Sequence, residues 1–384
     1  MKLKVGVIFG GKSLEHEISI ITAIQAMNHI DTEKYEIVPI YITKDLVWYS
    51  SGCLRHVDSF NNFNLIEKYA TKVNLVNKKG RFVLQTTGIL KRELTELHLV
   101  MPMVHGAGVE DGSIQGYLEM IGIPYASNHV CSSAICQDKV LTKQLIEFNE
   151  MPVVKYVWFF DNEYEKNKEE LFKKISKLKY PLIVKPSTLG SSIGIKTVHN
   201  KEELDTIIKE VLKYDRKVFV EEKIENVLEY NISLLKTNDK LYVSSIEEIK
   251  TNLEYREYID KYNLDNFLNG NIIRTLPANI SEKMKEQIID LSKKTINLLN
   301  NTGLSTIDFL FDVDNKKLYI DEISSVPTCF SHHLWEESNI SYKELLNIML
   351  NDTVKNFNKD NEMITTMDMS ILGNVKNSEI EEFK

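Results

Sequence analysis

Ser305-Thr306-Ile307-Asp308-Phe309-Leu310-Phe311-Asp312-Val313-Asp314-Asn315-Lys316-Lys317-Leu318-Tyr319-Ile320-Asp321-Glu322-Ile323-Ser324 reads as two strands joined by a polar turn. A turn centred on Asn315 sets Asp308 opposite Glu322 and Thr306 opposite Ser324, all on one face, while Ile307, Phe309, Ile320 and Ile323 supply the apolar packing. Opposed cross-strand residues have Cβ atoms roughly 5 Å apart. Two carboxylates at that distance repel by about 3 kcal/mol at an effective dielectric of 20. A divalent cation offsets that repulsion, and hard oxygen ligands suit Mg²⁺, with Mn²⁺ as the alternative. A solvated acidic edge is the alternative, and the apolar side chains at the alternate positions weigh toward the metal.

Upstream lies Val184-Lys185-Pro186-Ser187-Thr188-Leu189-Gly190-Ser191-Ser192-Ile193-Gly194. Its small side chains let backbone N–H groups approach a polyphosphate, Ser191 and Ser192 can donate, and Lys185 brings charge to the strand end. The P-loop pattern GxxxxGK[ST] is absent. Alone, the stretch would read equally well as a flexible hairpin loop.

The rest of the chain gives these two stretches their setting. It has 384 residues, enough for two or three cores. The hydrophobic fraction of 43% and charged fraction of 27% are those of an ordinary globular protein. Lys+Arg 47 against Asp+Glu 55 leaves a net charge of -8, which opposes general binding to nucleic-acid backbone or anionic membrane, so any anion site is local. Cys53, Cys131, Cys136 and Cys329 lack CxxC spacing and read as free thiols in a reducing compartment. The start, Leu3-Lys4-Val5-Gly6-Val7-Ile8-Phe9-Gly10-Gly11, is too short an apolar run for a secretory h-region and reads as a buried strand. No stretch approaches the length of a membrane span, and a cytoplasmic location is the expectation.

That opening strand, a helical stretch over Ile18 to Met27 and a strand over Tyr35 to Ile42 form β-α-β, so an N-terminal α/β domain with a parallel sheet is expected over 1–127. Leu97 to Val104 reads as one further strand entering a second glycine-rich turn, His105 to Gly112. A smaller α+β lobe follows over 128–220, with a charged helix over Glu163 to Leu178 and a strand over Ile193 to Val198. A larger lobe spans 221–352, and 353–384 reads as a polar tail.

Gly10 to Glu17, His105 to Gly116, Gln137-Asp138-Lys139, Lys185 to Gly194, Asp260-Lys261-Tyr262, Asp308, Asp321-Glu322-Ile323 and Leu334 to Tyr342 fall in the order seen in D-alanine–D-alanine ligases, which the chain resembles over about residues 3–350. The resemblance implies the three-lobed ATP-grasp fold, with ATP between the central and C-terminal lobes, and a homodimer formed through the N-terminal region. Carried over residue by residue, it gives Glu15 the ammonium of the first D-alanine and places His105 near that substrate's carboxylate. Lys139, Lys185 and Lys261 would bind ATP phosphates, main chain around Glu221, Glu222 and Ile224 would meet adenine, and Glu229 would hold ribose. Ser191 and Tyr262 would join Glu15 in a hydrogen-bonded trio, and Asp308, Glu322 and Ser324 would hold Mg²⁺. The implied product is a cell-wall precursor made from small amino-acid substrates.

The chain departs from the family where the second substrate is handled. Thr306 stands where the family has an arginine aimed at the reaction intermediate, Ser324 replaces an asparagine, and Pro327-Thr328 replaces Pro-Gly. The segment before Leu334 is shortened, so Ser331, His332, His333 and Leu334 are the candidates for the acceptor side, with His332 or His333 as a compensating cation. Three functions fit: a D-alanine–D-alanine ligase, a sibling ligase with another acceptor, or a binding relic.

Overall fold

The computed structural model describes residues 2–106, 108–251, 272–360 and 362–364. Lys261 and Tyr262 lie outside the described residues, as does the expected tail from residue 365 onward. Among the described residues three sheets are present.

The first contains β1 (Leu3–Gly10), β2 (Tyr35–Ile42), β3 (Trp48–Ser50), β4 (Thr71–Lys78), β5 (Arg81–Thr86), β6 (Glu93–Leu97) and β7 (Leu99–Pro102), in the order β6-β5-β4-β3-β2-β1-β7. β1 is parallel to both β2 and β7, joined to β2 by the helix His16–His29, as the β-α-β pattern requires. From β2 to β6 the pairings are antiparallel, so the parallel part is confined to three strands. The stretch expected as one strand is two, split at His98, whose Nδ1 accepts from the Lys4 amide at 2.9 Å. Gly10 ends β1 at φ +90, and a Cβ there would lie 2.2 Å from the Ile42 carbonyl oxygen, so the turn into the helix needs glycine.

The central sheet holds β8 (Tyr156–Phe160), β9 (Leu182–Pro186), β10 (Lys196–Val198) and β11 (Lys217–Glu222), in the order β10-β9-β11-β8. β10 starts three residues later than expected, because Ser191, Ser192 and Gly194 sit at φ 54, 62 and 75, outside the extended region. The expected helix from Glu163 is likewise two, Asp161–Lys166 and Lys168–Ile175, broken at Asn167 with φ -126.

The third sheet holds β12 (Val227–Lys236), β13 (Leu241–Val243), β14 (Glu247–Thr251), β15 (Ile272–Thr275), β16 (Leu304–Asp312) and β17 (Lys317–Ser324). Its order is β15-β14-β12-β16-β17, with β13 beside β12. Tyr230, Ile232, Leu234, Ile307, Phe309 and Ile320 cover one face and pack against Ile288, Leu291 and Ile296 of the helix Glu282–Leu298. Each such side chain contributes about 1.5–3 kcal/mol on burial. The opposite face carries Asn231, Thr306, Asp308, Glu322 and Ser324 and forms the floor of a cleft.

Two contacts fix that floor to its neighbours. The buried Asn128 amide donates to the carbonyls of Leu304 at 2.7 Å and Ser325 at 2.9 Å, joining the start of the central lobe to both hairpin strands. Trp335 is fully buried and donates to Ser233 at 3.1 Å. The helix Tyr342–Asp360 then docks Leu345, Leu346, Met349 and Leu350 into the core shared with β1. It runs past residue 352, and Phe357 reaches Phe82 with ring centroids 6.5 Å apart.

Candidate active site

The hairpin decides the geometry. Asp308 pairs with Glu322 and Thr306 with Ser324, yet Phe309 pairs with Ile320, so Asp321 is an extra residue bulged out of the ladder. The turn itself is centred between Asp314 and Asn315, and the bulge restores the expected pairing at the carboxylates. Because of it, two consecutive acids reach the cleft: Asp321 toward Lys185 and Lys143, Glu322 toward Lys139.

On the central-lobe side, four charged groups are locked together. Lys185 Nζ lies 2.5 Å from Glu221 and 3.3 Å from Asp321, while Lys143 Nζ lies 3.0 Å and 3.5 Å from the same acids. Burial disfavours the Lys185 ammonium, but Asp321 and Glu221 outweigh it and raise its pKa. Burial likewise opposes ionisation of Asp321, and Lys185 and Lys143 reverse the balance and lower its pKa. Lys139 bonds the Leu189 carbonyl at 2.6 Å and pairs with Glu322 at 3.0 Å, tying the glycine loop to the hairpin. Asp138 caps the helix Lys139–Phe148, accepts from Ser187 at 2.6 Å and pairs with Lys217 at 2.7 Å.

The left-handed turn at Ser191 delivers its hydroxyl to Glu15 on the N-terminal domain. Gly190 brings the loop backbone close to the same carboxylate, since a Cβ there would stand 3.1 Å from Glu15 Oε2. Ser13 donates to the His105 carbonyl at 2.5 Å, and His105 Nε2 contacts Thr22 at 3.1 Å. Burial pulls His105 down to about 4, so it is neutral near pH 7. Glu110 accepts from the amides of Gly106 and Val326, both at 3.1 Å, and from the Ser324 hydroxyl at 3.4 Å. Burial, with Glu15 nearby, pushes Glu110 up to about 8.

The lowered His105 pKa fixes the sign of one pH effect. A histidine with a folded pKa below its ordinary 6.5 contributes stability present above 6.5 and lost as pH falls toward 4. Each tenfold loss of proton affinity on folding is worth roughly 1.4 kcal/mol. His105→Gln should therefore lose less stability than wild type between pH 6.5 and 4 in paired melting curves. Parallel curves over that range would refute the buried neutral imidazole.

Two cavities result. One of about 550 Å³ holds Glu15, His105, Ser191, Ser324, Ser331, His332, His333 and Leu334 on its walls. The other, about 710 Å³, is lined by Lys185, Ser192, Glu221, Glu222, Ile224 and Glu229. They meet at Lys139, Asp308 and Glu322, which border both. Every described site residue expected from sequence thus falls on one of the two walls. Among the described residues no three or more His, Cys, Asp or Glu side chains converge as a metal centre, and Asp308 and Glu322 face each other as a pair across β16 and β17. That donor set suits a hard cation that takes its remaining oxygens from a ligand and water.

At the far end, Cys329, Phe330 and Ser331 are successive left-handed residues at φ 49, 53 and 48, a strained turn held by Phe330 N to Pro327 O at 2.8 Å and Cys329 N to Thr22 at 3.1 Å. Thr306 and Ser331 hydroxyls are 3.5 Å apart. His332 stacks on Tyr342 at 4.8 Å and contacts Gln25 at 3.0 Å, and burial lowers its pKa, so it is not a standing cation at neutral pH. Asp321, Lys143, Lys217, Glu110, Glu247 and Arg274 join the site without having been expected from sequence. Lys143 had a signal, one helical turn from Lys139 on the same face.

Sequence comparison agrees with this architecture. The family model described as "D-ala D-ala ligase N-terminus" matches residues 4–128 and "D-ala D-ala ligase C-terminus" matches 145–351. The D-alanine–D-alanine ligase of Thermosipho melanesiensis is 37% identical, covering 96% of this chain and 98% of that one. D-alanine–D-alanine ligase B of Clostridium tetani is 35% identical over 92% of this chain and 94% of its own. Among solved structures, the Coxiella burnetii D-alanine–D-alanine ligase superposes with a TM-score of 0.79 at 26% identity, covering 94% of this chain and 96% of that one. The VanG D-Ala:D-Ser ligase of Enterococcus faecalis gives 0.77 at 28% identity, covering 92% and 100%. With both family models matched in order and relatives aligned nearly end to end, the chain belongs to the D-alanine–D-alanine ligase family.

Proposed function

We infer that the protein is an ATP-dependent ligase that joins two D-alanines through an acyl phosphate, supplying a cell-wall precursor. The observation that supports this most directly is the meeting of a nucleotide-sized cavity and a substrate-sized cavity at Lys139, Asp308 and Glu322. The γ-phosphoryl group passes to a carboxylate oxygen of the first D-alanine, releasing ADP. The amine of the second then attacks the carbonyl carbon, loses its proton, and phosphate leaves.

The chain's own residues hold and align the reactants. Lys185 and Lys139 neutralise phosphate charge, Ser192 and the loop amides cradle it, and Glu229 with the main chain at Glu221, Glu222 and Ile224 receives the nucleoside. Asp308 and Glu322 hold Mg²⁺, which, when bound, offsets charge on the transferring group. Ser324, whose hydroxyl donates to Glu110, borders them. Glu15, oriented by Ser191, takes the donor ammonium, and neutral His105 lies beside the donor carboxylate.

A second reading keeps D-alanine as donor and changes the acceptor. Thr306, opposite Ser324 and 3.5 Å from Ser331, makes this end hydroxyl-rich where the family carries an arginine. One experiment decides: ATP and Mg²⁺ with single and paired amino acids, following phosphate release and product mass. D-alanine alone should yield its dimer. Phosphate release only with a different pair selects the second reading, and silence across the panel with nucleotide binding intact defeats both.

A further inference from the structure

The acceptor arrives as an amino acid, and its carboxylate must be received by a cavity bordered by the carboxylates of Glu15, Glu247, Asp308 and Glu322. An anion entering such a wall without a cation is repelled and loses its water for nothing. The lysines and arginines on that wall, among the described residues, are Lys139 and Arg274. Lys139 is held at the nucleotide end, against Glu322 at 3.0 Å and the Leu189 carbonyl at 2.6 Å. His105 and His332 both have lowered pKa values through burial.

Arg274 enters from β15, the edge strand at the other end of the sheet from β17. It pairs with Ile249, Ile249 pairs with Glu229, and Asn231 pairs with both Glu247 and Asp308. Arg274 and the acids are thus on adjacent rungs of one sheet face. Its guanidinium lies 3.6 Å from Glu247 Oε1, and Glu247 Oε2 lies 3.5 Å from His333 Nε2. The Glu247 side chain is only 3% exposed, so a buried carboxylate stands between both groups. Arginine carries five N–H donors in a rigid fork that matches a carboxylate bidentately.

We propose that Arg274, aimed by Glu247, binds the acceptor's carboxylate, so that β15 supplies a cation to a cavity that has none at Thr306 on β16. This rests on the ligase reading above and adds a residue to it. The role is one of acceptor binding and specificity: the acyl phosphate forms without it, and the second amino acid is then seated by it. Glu247 is a positioning residue that acts through Arg274.

The test separates the two half-reactions. Hydroxylamine is an acceptor with no carboxylate, so D-alanine, ATP, Mg²⁺ and hydroxylamine report acyl phosphate formation alone. Arg274→Gln should leave that hydroxylamine-supported phosphate release and the KM for ATP within about twofold of wild type. It should raise the KM for acceptor D-alanine by about 10- to 100-fold. It should also erase the preference for D-alanine over D-alaninamide as acceptor. Arg274→Lys, which keeps charge and loses the fork, should fall between. Equal losses in the hydroxylamine and dipeptide assays, or an unchanged preference over the amide, would overturn the assignment. A wild-type protein that releases no phosphate with hydroxylamine and any amino acid would instead remove the ligase reading, and this assignment with it.

Discussion

Lys185→Ala should remove measurable turnover and lower stability together, because one ammonium serves both. Lys185 is 7% exposed and shares Glu221 and Asp321 with Lys143, two cations against two anions. Removing one partner of a buried ionic set costs about 3–5 kcal/mol, since the remaining charge is left without its counter-ion. Deleting Lys185 leaves two acids facing one lysine. The Asp321 pKa, held down by the lysines against burial, should then rise. A carboxyl lowered on folding contributes stability present above its ordinary 3.8 and lost as pH falls below it, so the variant should lose part of that acid-dependent slope. Denaturant midpoints and initial rates at limiting ATP check both halves. A wild-type rate at limiting ATP would remove Lys185 from phosphate handling, and an unchanged midpoint would refute the buried charge lattice. Lys185→Met, which keeps the aliphatic stem, separates lost packing from lost charge.

The sequence is informative where one residue type can do one thing. Gly10, at a φ of +90 with no room for a Cβ, marks the turn after β1 by its identity alone. The opposition of Asp308 and Glu322 is readable from alternation, although the turn centre lies half a residue from the expected one and a bulge restores the pairing. That bulge has a trace in the sequence: Ile320 and Ile323 are an odd number of residues apart and still both join the core. In a regular strand they would face opposite ways, and only an extra residue between them reconciles the pattern. Asp321 escapes notice as a site residue for the same reason, because strict alternation turns it away from the cleft.

What is not legible comes from contacts between distant segments. Arg274 and Glu247 carry no local motif, and only the pairing of β14 with β15 puts them on the cavity wall. Glu110 reads as part of a glycine-rich turn, and its role emerges when Val326, more than two hundred residues away, donates to it. Lys217 is an ordinary strand lysine until Asp138 is placed 2.7 Å away. Tertiary placement fixes what such side chains do, and periodicity carries none of it.

Asp308→Asn should have opposite effects on stability with and without magnesium nucleotide. Asp308 and Glu322 face each other across β16 and β17, and opposed carboxylates at roughly 5 Å between Cβ atoms repel. Lys139 sits 3.0 Å from Glu322 and offsets part of this. Neutralising Asp308 relieves the repulsion and leaves the Lys139 pair intact, so without metal the variant should melt at or above wild type, the usual signature of a site that gives up stability for function. Wild type should gain about 2.7 kcal/mol when magnesium nucleotide is supplied at a hundred times its Kd, because the ligand binds the folded state alone. The variant should gain little, and turnover should fall roughly 100- to 1,000-fold. Glu322→Gln is the informative contrast: it removes the same charge from the pair but takes the carboxylate away from Lys139, so it should be less stable than Asp308→Asn without metal. Melting curves of the three proteins with EDTA, with Mg²⁺ and with Mg²⁺ and ATP give every comparison. If Asp308→Asn keeps the full magnesium-nucleotide stabilisation of wild type, the facing acids are not where the metal is held. If both variants melt alike without metal, the Lys139–Glu322 pair contributes nothing to the apo fold.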